Sequence, residues 1–390
     1  MSIKFPNNFL FGSATSAHQV EGGLMNDWSE WEKVSGHIRD GSTSKVSADS
    51  WNHWREDIEL LKQTNQNAYR FSIEWSRIEP KEGKFDKNAI KRYCEILQTL
   101  RQDKIVSMVT LFHFTLPVWF SERGGFERRE NVKYFSRFCH EMAKELGKFV
   151  DFWTILNEPN VYALNGYIRH DWCPGKSNWW LAIKVYNNLA FSHNQAYSAI
   201  KSLLSDSKIG IAMNMANFVP VLNKRRHRIM VWFAREISIN YFLRKIKNKI
   251  DFLGINHYLR FDLQSKTPFI VDSLLPKSDF DWPIHPESIY EVIMRSKIWH
   301  KPIYITENGI ADEADRQRPE YLKKYLENIS RAIADGAEVR GYFHWSLIDN
   351  FEWAEGYKMK FGLFTIDRKP RKSAQVYSDI ILKSKNSPQA

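Results

Sequence analysis

WTILNEPN, residues Trp153–Asn160, is an apolar, strand-like run that stops on an amide, a carboxylate and a proline. A carboxylate at the edge of a core is costly unless it is paired or solvated. Glu158 therefore marks where a buried strand meets something polar. Pro159 has no N–H for a continuing ladder, so the strand ends there.

Seven further runs of the same kind occur along the chain. With Phe149–Leu156 they make eight: Phe9–Ser13, Ala68–Ile73, Ile105–Leu111, Lys208–Met213, Phe252–Ile255, Ile303–Thr306 and Gly341–Trp345. Most are separated by amphipathic segments such as DSWNHWREDIELLKQ and NVKYFSRFCHEMAKELGKF, with acids near the start and Lys or Gly near the end, as helix termini prefer. Strands buried on both faces that alternate with helices form a parallel sheet. Eight such units in 390 residues imply an α/β fold, a closed (β/α)8 TIM barrel, as one domain spanning residues 1–390. Barrel chemistry sits at the C-terminal ends of the strands. Those ends carry Ser16–Glu21, Arg70–Trp75, His113, Asn157-Glu158, Asn214, Asn256-His257-Tyr258, Glu307-Asn308 and Trp345 onward. Acids, amides and aromatics so concentrated suit a crater that binds a polyol.

Composition narrows the class. Fifteen Trp and sixteen Tyr offer the flat faces and polar edges that sugars bind, beyond what a large core requires. The net charge of +11 invites a nucleic-acid reading, but nine Lys or Arg and one Glu fall between Asn223 and Lys249. There Ile229, Trp232, Phe233, Ile239 and Leu243 recur at roughly helical spacing, which predicts one amphipathic helix packed on those residues with a basic solvated face. No nucleic-acid motif accompanies it, and neither a nucleic-acid nor a membrane partner is expected. The cysteines Cys94, Cys139 and Cys173 are odd in number and share no CxxC spacing. No signal-type or membrane-spanning apolar run occurs, so a cytoplasmic enzyme is expected. Oligomeric state is not readable from the residues.

Glu158 and Glu307 each follow an apolar strand, the fourth and the seventh, so their side chains can face each other across the barrel mouth. Cleavage of a glycosidic bond with retention needs two carboxyls about 5–5.5 Å apart, one protonated and one ionised. Like charges at about 5 Å with an effective dielectric near 20 repel by about 3 kcal/mol, roughly two pK units. That would raise one Glu from about 4.3 toward 6–7. The competing reading is structural, each Glu simply pairing with an arginine such as Arg70 or Arg77. His18, His113, His257 and His344 show no HExxH-like spacing, and neither a metal nor a cofactor is expected.

The ordered stretches FLFGSATSAHQVEGG, AYRFSIEWSRIEP, TLFHFTLPVWF, WTILNEPN, DFLGINHYL, PIYITENGI and GYFHWSLIDNFEWAEGY resemble family 1 glycoside hydrolases, the β-glucosidases and β-glycosidases of clan A, over nearly the whole chain. The resemblance implies a retaining exo-β-glycosidase acting on a small β-glycoside or oligosaccharide. It implies Glu158 of NEP as acid/base and Glu307 of TENG as nucleophile. It also implies Asn157 at the sugar 2-hydroxyl, Gln19, His113, Glu352 and Trp353 around the glycone, Trp345 beneath the ring, and Tyr258 and Arg70 supporting the nucleophile.

The chain departs from the family in three places. Phe114 replaces the usual Trp after the glycone-binding His, His257 replaces a Tyr, and the region between strands five and six is short. The last suggests a more open aglycone side. Two other activities stay open: a 6-phospho-β-glycosidase, for which Lys358 and Lys360 leave room although Phe361 replaces a phosphate-gripping Tyr, and a non-catalytic sugar-binding barrel.

Overall fold

The computed structural model describes residues 3–267, 269–272 and 274–386. All eight apolar runs are strands: β1 (Leu10–Ala14), β2 (Ala68–Ser72), β3 (Val106–Phe112), β4 (Phe152–Asn157), β5 (Lys208–Asn214), β6 (Phe252–Asn256), β7 (Ile303–Asn308) and β8 (Val339–Trp345). Each pairs in parallel with its neighbour in the chain, and β8 closes back on β1. The result is the (β/α)8 barrel that the alternation of strands and helices implies. Among the described residues no helix is long and apolar enough to cross a membrane.

The barrel is plugged at its N-terminal end. Phe152, Phe252 and Tyr304 open or nearly open their strands, and their rings meet edge to face with centroids 5.2–5.7 Å apart. Gly210 makes room for this plug, since a Cβ there would lie 2.5 Å from Phe252. At the same end Asp151 accepts from the Ser107 amide at 2.8 Å and Asp251 from the Ile209 amide at 2.9 Å, satisfying donors that begin β3 and β5. This accounts for β4 starting at Phe152 rather than Phe149, because Gly147–Phe149 is a 3-10 turn leading into Asp151.

The basic segment differs from the single packed helix expected of it. It comprises a helix Arg225–Arg235, a π-helical turn Glu236–Asn240 and a helix Tyr241–Ile246. Val231, Ile239, Phe242, Leu243 and Ile246 are buried, whereas Ile229, Trp232 and Phe233 are exposed. The wide turn spends an extra residue and re-phases the stripe, so a strictly 3.6-residue reading picks the wrong face in the first half. A small sheet of Asn217–Pro220, Arg260–Leu263 and Ile270–Val271 follows β5 and β6 at the C-terminal mouth.

Candidate active site

A cavity of about 810 Å³ opens at the C-terminal ends of the strands, with Glu158 and Glu307 in its wall. Strand register sets the height of the groups around it, for Asn214 lies opposite Asn256 and Asn256 opposite Glu307. The chain turns sharply after β4. Glu158 has φ 43° and Pro159 occupies the first turn of the helix Pro159–Tyr167. A left-handed glutamate costs on the order of 1 kcal/mol. The turn directs its side chain into the cavity instead of along the strand.

The two carboxyls have different surroundings. Glu307 Oε1 pairs with the Arg70 guanidinium, and Glu307 Oε2 accepts from the Tyr258 hydroxyl at 2.9 Å. Glu158 Oε1 accepts only amide hydrogens, from Asn214 at 3.0 Å and Asn256 at 2.9 Å. Asn256 Nδ2 also donates to Asn157 Oδ1 at 3.1 Å, so one amide ties Glu158 to Asn157. Its own oxygen is fixed by the Thr306 hydroxyl at 2.6 Å. Arg70 in turn donates to Asn157 Oδ1 at 2.7 Å, and Asn157 Nδ2 lies 3.1 Å from His113 Nε2.

Burial pushes Glu158 up to about 8, and the Glu307 charge adds to the effect. This corrects the expectation that charge repulsion would be the main cause and 6–7 the result. The low-dielectric surroundings penalise the ionised form more than the neighbour does. Burial raises Glu307 too, opposed first by Arg70 and then by Tyr258. A guanidinium in contact favours ionisation far more than amide donors do, so of the pair Glu158 holds the proton. Arg77 pairs with Glu21 at 2.8 Å and takes no part.

The remaining expected residues line the cavity or stand behind its wall. Glu352, Trp345, Trp353, His113, Asn157 and Tyr258 line it. Gln19 lies behind Glu352, donating to its Oε2 at 3.0 Å and to Asn350 Oδ1 at 3.1 Å while accepting from Ser16 at 2.7 Å. Arg70 is likewise fully buried beneath Glu307. Burial raises Glu352 to about 8, with the Glu307 charge next in importance. The Trp353 ring stacks near-parallel over His18 at 5.5 Å and packs against Phe114 and Trp172. Phe114 lines the cavity beside it and keeps the wall apolar.

His257 does not face the cavity. Its Nδ1 lies 2.8 Å from the Met215 carbonyl, and burial lowers its pKa to about 4, so the ring is neutral and structural. Sequence reasoning named Asn214 and Asn256 as strand ends without giving them a role. Their position, in register beside the two acids, is the signal that would have found them.

The family model described as glycosyl hydrolase family 1 matches residues 1–243 and 237–386. A 1,4-beta-D-glucan glucohydrolase of Thermotoga neapolitana is 33% identical over 97% of this chain and 98% of its own. Beta-glucosidase A of Thermotoga maritima is 33% identical over the same shares. The solved structure of a Thermotoga maritima beta-glucosidase in complex with glucoimidazole superposes with a TM-score of 0.94, at 31% identity, over 98% of this chain and 99% of that one.

Proposed function

The chain belongs to glycosyl hydrolase family 1 and is a retaining O-glycosyl hydrolase of the β-glucosidase type, and on that premise we propose that Glu307 is its nucleophile and Glu158 its acid/base. The observation that carries the assignment is the contrast between the two acids, a guanidinium and a phenol on Glu307 against amides alone on Glu158.

In the first step a Glu307 oxygen attacks the anomeric carbon while the Glu158 proton passes to the glycosidic oxygen, so the aglycone leaves as a neutral alcohol. The sugar is then an ester of Glu307. Esterification removes the negative charge that helped to hold Glu158 protonated, and its pKa falls. In the second step the Glu158 carboxylate takes a proton from water as the water oxygen attacks the anomeric carbon. Glu307 is released as a carboxylate, Glu158 is protonated again, and the anomeric configuration is retained.

The glycone is bound, on this proposal, by Gln19, His113, Asn157, Glu352 and Trp353 over the Trp345 ring, with Asn157 at the 2-hydroxyl and Tyr258 and Arg70 holding the nucleophile. Glu352 supports an unphosphorylated glycone, β-glucoside first and β-fucoside or β-galactoside after it. Phe361, where a phosphate-gripping hydroxyl would stand, packs among Tyr258, Phe280 and Trp282 and offers no donor. The unpaired thiols of Cys94, Cys139 and Cys173 fit a reducing compartment, and we assign the enzyme to the cytoplasm. A panel of aryl β-glycosides with and without a 6-phosphate, read as kcat/KM and product anomer, tests the reading. Preference for the phosphorylated members, or an inverted product, would contradict it.

A further inference from the structure

His18 is buried behind the cavity wall, one residue before Gln19, and does not line the cavity itself. The short helix Ala17–Val20 carries both residues. Gln19 holds Glu352 by its Oε2, and the His18 ring lies 5.5 Å from that of Trp353 with the planes 12° apart. Two adjacent residues on one side thus hold two adjacent residues on the other. The Phe351 amide, donating to the Gln19 carbonyl at 3.1 Å, completes the pairing of the two segments.

The His18 ring is held at both nitrogens. Asn26 Oδ1 accepts from the Ser29 amide at 2.8 Å, which settles which way the Asn26 side chain points. Asn26 Nδ2 is therefore the atom 3.1 Å from His18 Nδ1, and it donates there. His18 Nδ1 carries no proton, and the ring proton is on Nε2, 3.1 Å from Glu32 Oε1. Glu32 Oε2 accepts from the Ser44 amide at 2.8 Å, and no Lys or Arg pairs with Glu32 among the described residues. A ring that only filled space would need no such partner, and a carboxylate without a cation is costly to bury. The two polar contacts fix the rotation of the imidazole, which an apolar ring would leave free.

Trp353 is a residue whose conformation has to be enforced. Its φ of 50° is left-handed, which a bulky side chain adopts only where its surroundings dictate it. The helix Asp27–Trp31 supplies much of that enforcement, with Asn26 before it and Glu32 after it gripping His18, and Trp28 within it packing on the Trp353 indole at 4.8 Å. Beyond Trp353 the near-parallel planes continue to His113, 14° away at 6.1 Å, and from His113 to Trp345, 22° away at 5.9 Å. The tilt of one indole is thus shared with the side chains assigned to the glycone.

We propose that His18, fixed by Asn26 and Glu32, is a positioning residue for the glycone, which never touches the sugar and acts by setting the plane of Trp353. The proposal rests on the glycone assignment above. Misplacing a substrate by about an ångström through a change far from the chemistry can cost about 100-fold in rate, so a ring set back from the cavity can matter to turnover.

A double-mutant cycle on kcat/KM for nitrophenyl β-D-glucoside tests this. His18→Phe keeps a ring and removes both polar contacts. Glu32→Gln keeps the imidazole but sets a donor against a donor at one of its two contacts, and it carries the same test should His18→Phe not fold. Each is expected to lower kcat/KM about tenfold or more, with a rise in KM, and to cost less than about twofold once Trp353 is already alanine. A smaller folded fraction would lower kcat alike in both backgrounds and leave KM unchanged, so the cycle separates positioning from stability. Equal losses with and without Trp353→Ala, or an unchanged KM in both single variants, would overturn the proposal and leave the glycone assignment standing. Undiminished kcat/KM in Trp353→Ala alone would contradict the glycone assignment, and the proposal would fall with it.

Discussion

The Tyr258 hydroxyl donates to Glu307 Oε2 at 2.9 Å, on the carboxylate oxygen that Arg70 leaves free. Hydrogen bonds to a charged acceptor contribute roughly 1.5–3 kcal/mol. Tyr258→Phe should therefore lower kcat/KM by about 10- to 100-fold. Because the lost bond favoured the ionised form, the acidic limb of the pH profile should move to higher pH. An unshifted limb would mean that Tyr258 does not set the protonation of Glu307.

Activity requires a protonated Glu158, whose pKa burial lifts to about 8. The rate should fall as pH rises through that region, as a macroscopic property of the coupled pair. Glu158→Gln should abolish the basic limb. With an aryl glycoside whose leaving group needs no proton, it should also let a glycosyl-enzyme accumulate, visible by mass spectrometry. A basic limb unchanged in Glu158→Gln would assign the proton elsewhere.

Asn214 donates to Glu158 Oε1 at 3.0 Å and so stabilises the ionised acid/base. Asn214→Ala should raise the pKa of Glu158, moving the basic limb of kcat/KM upward by up to about one unit. Deglycosylation should slow, because that step needs Glu158 as a carboxylate. Burst kinetics with a nitrophenyl glycoside would report it, and a limb displaced downward would contradict the role.

Glu158 and Glu352 both rise from 4.5 to about 8 on folding. The native state then keeps protons that the unfolded chain has lost, so stability is full below about pH 4.5 and declines as pH rises toward 8. Glu352→Gln should remove one such proton. Its stability relative to the parent should improve between pH 5 and pH 9 by on the order of 1–3 kcal/mol, measured from urea midpoints. A difference that is flat with pH would mean that Glu352 is not held neutral by the fold.

Much of this was legible in the residues. Eight apolar runs, each stopped by polar residues, stated the barrel, and Glu158 and Glu307 stood out because each ends such a run. Three things were not legible, each for a physical reason. The packed face of the 223–249 segment depends on a π-helical turn, which no 3.6-residue pattern anticipates. The elevation of Glu158 is due first to desolvation, which depends on everything around the carboxyl and cannot be had from one charge and one distance. The work of Asn256 lies in tying Glu158 to Asn157, and that depends on where the strand register sets it. Arg70 shows the opposite case, since its contact with Glu307 is compatible with both readings. It pairs with a glutamate as an ordinary structural arginine would, and that glutamate is Glu307.

The central claim is that Glu307 forms the bond to the sugar. Glu307→Gly should hydrolyse no aryl β-glucoside by itself. Added azide, small enough for the space left by the side chain, should restore turnover and give the glycosyl azide of inverted configuration, with Glu158 still protonating the leaving group. Undiminished hydrolysis by Glu307→Gly without azide, or an azide product of retained configuration, would contradict the account.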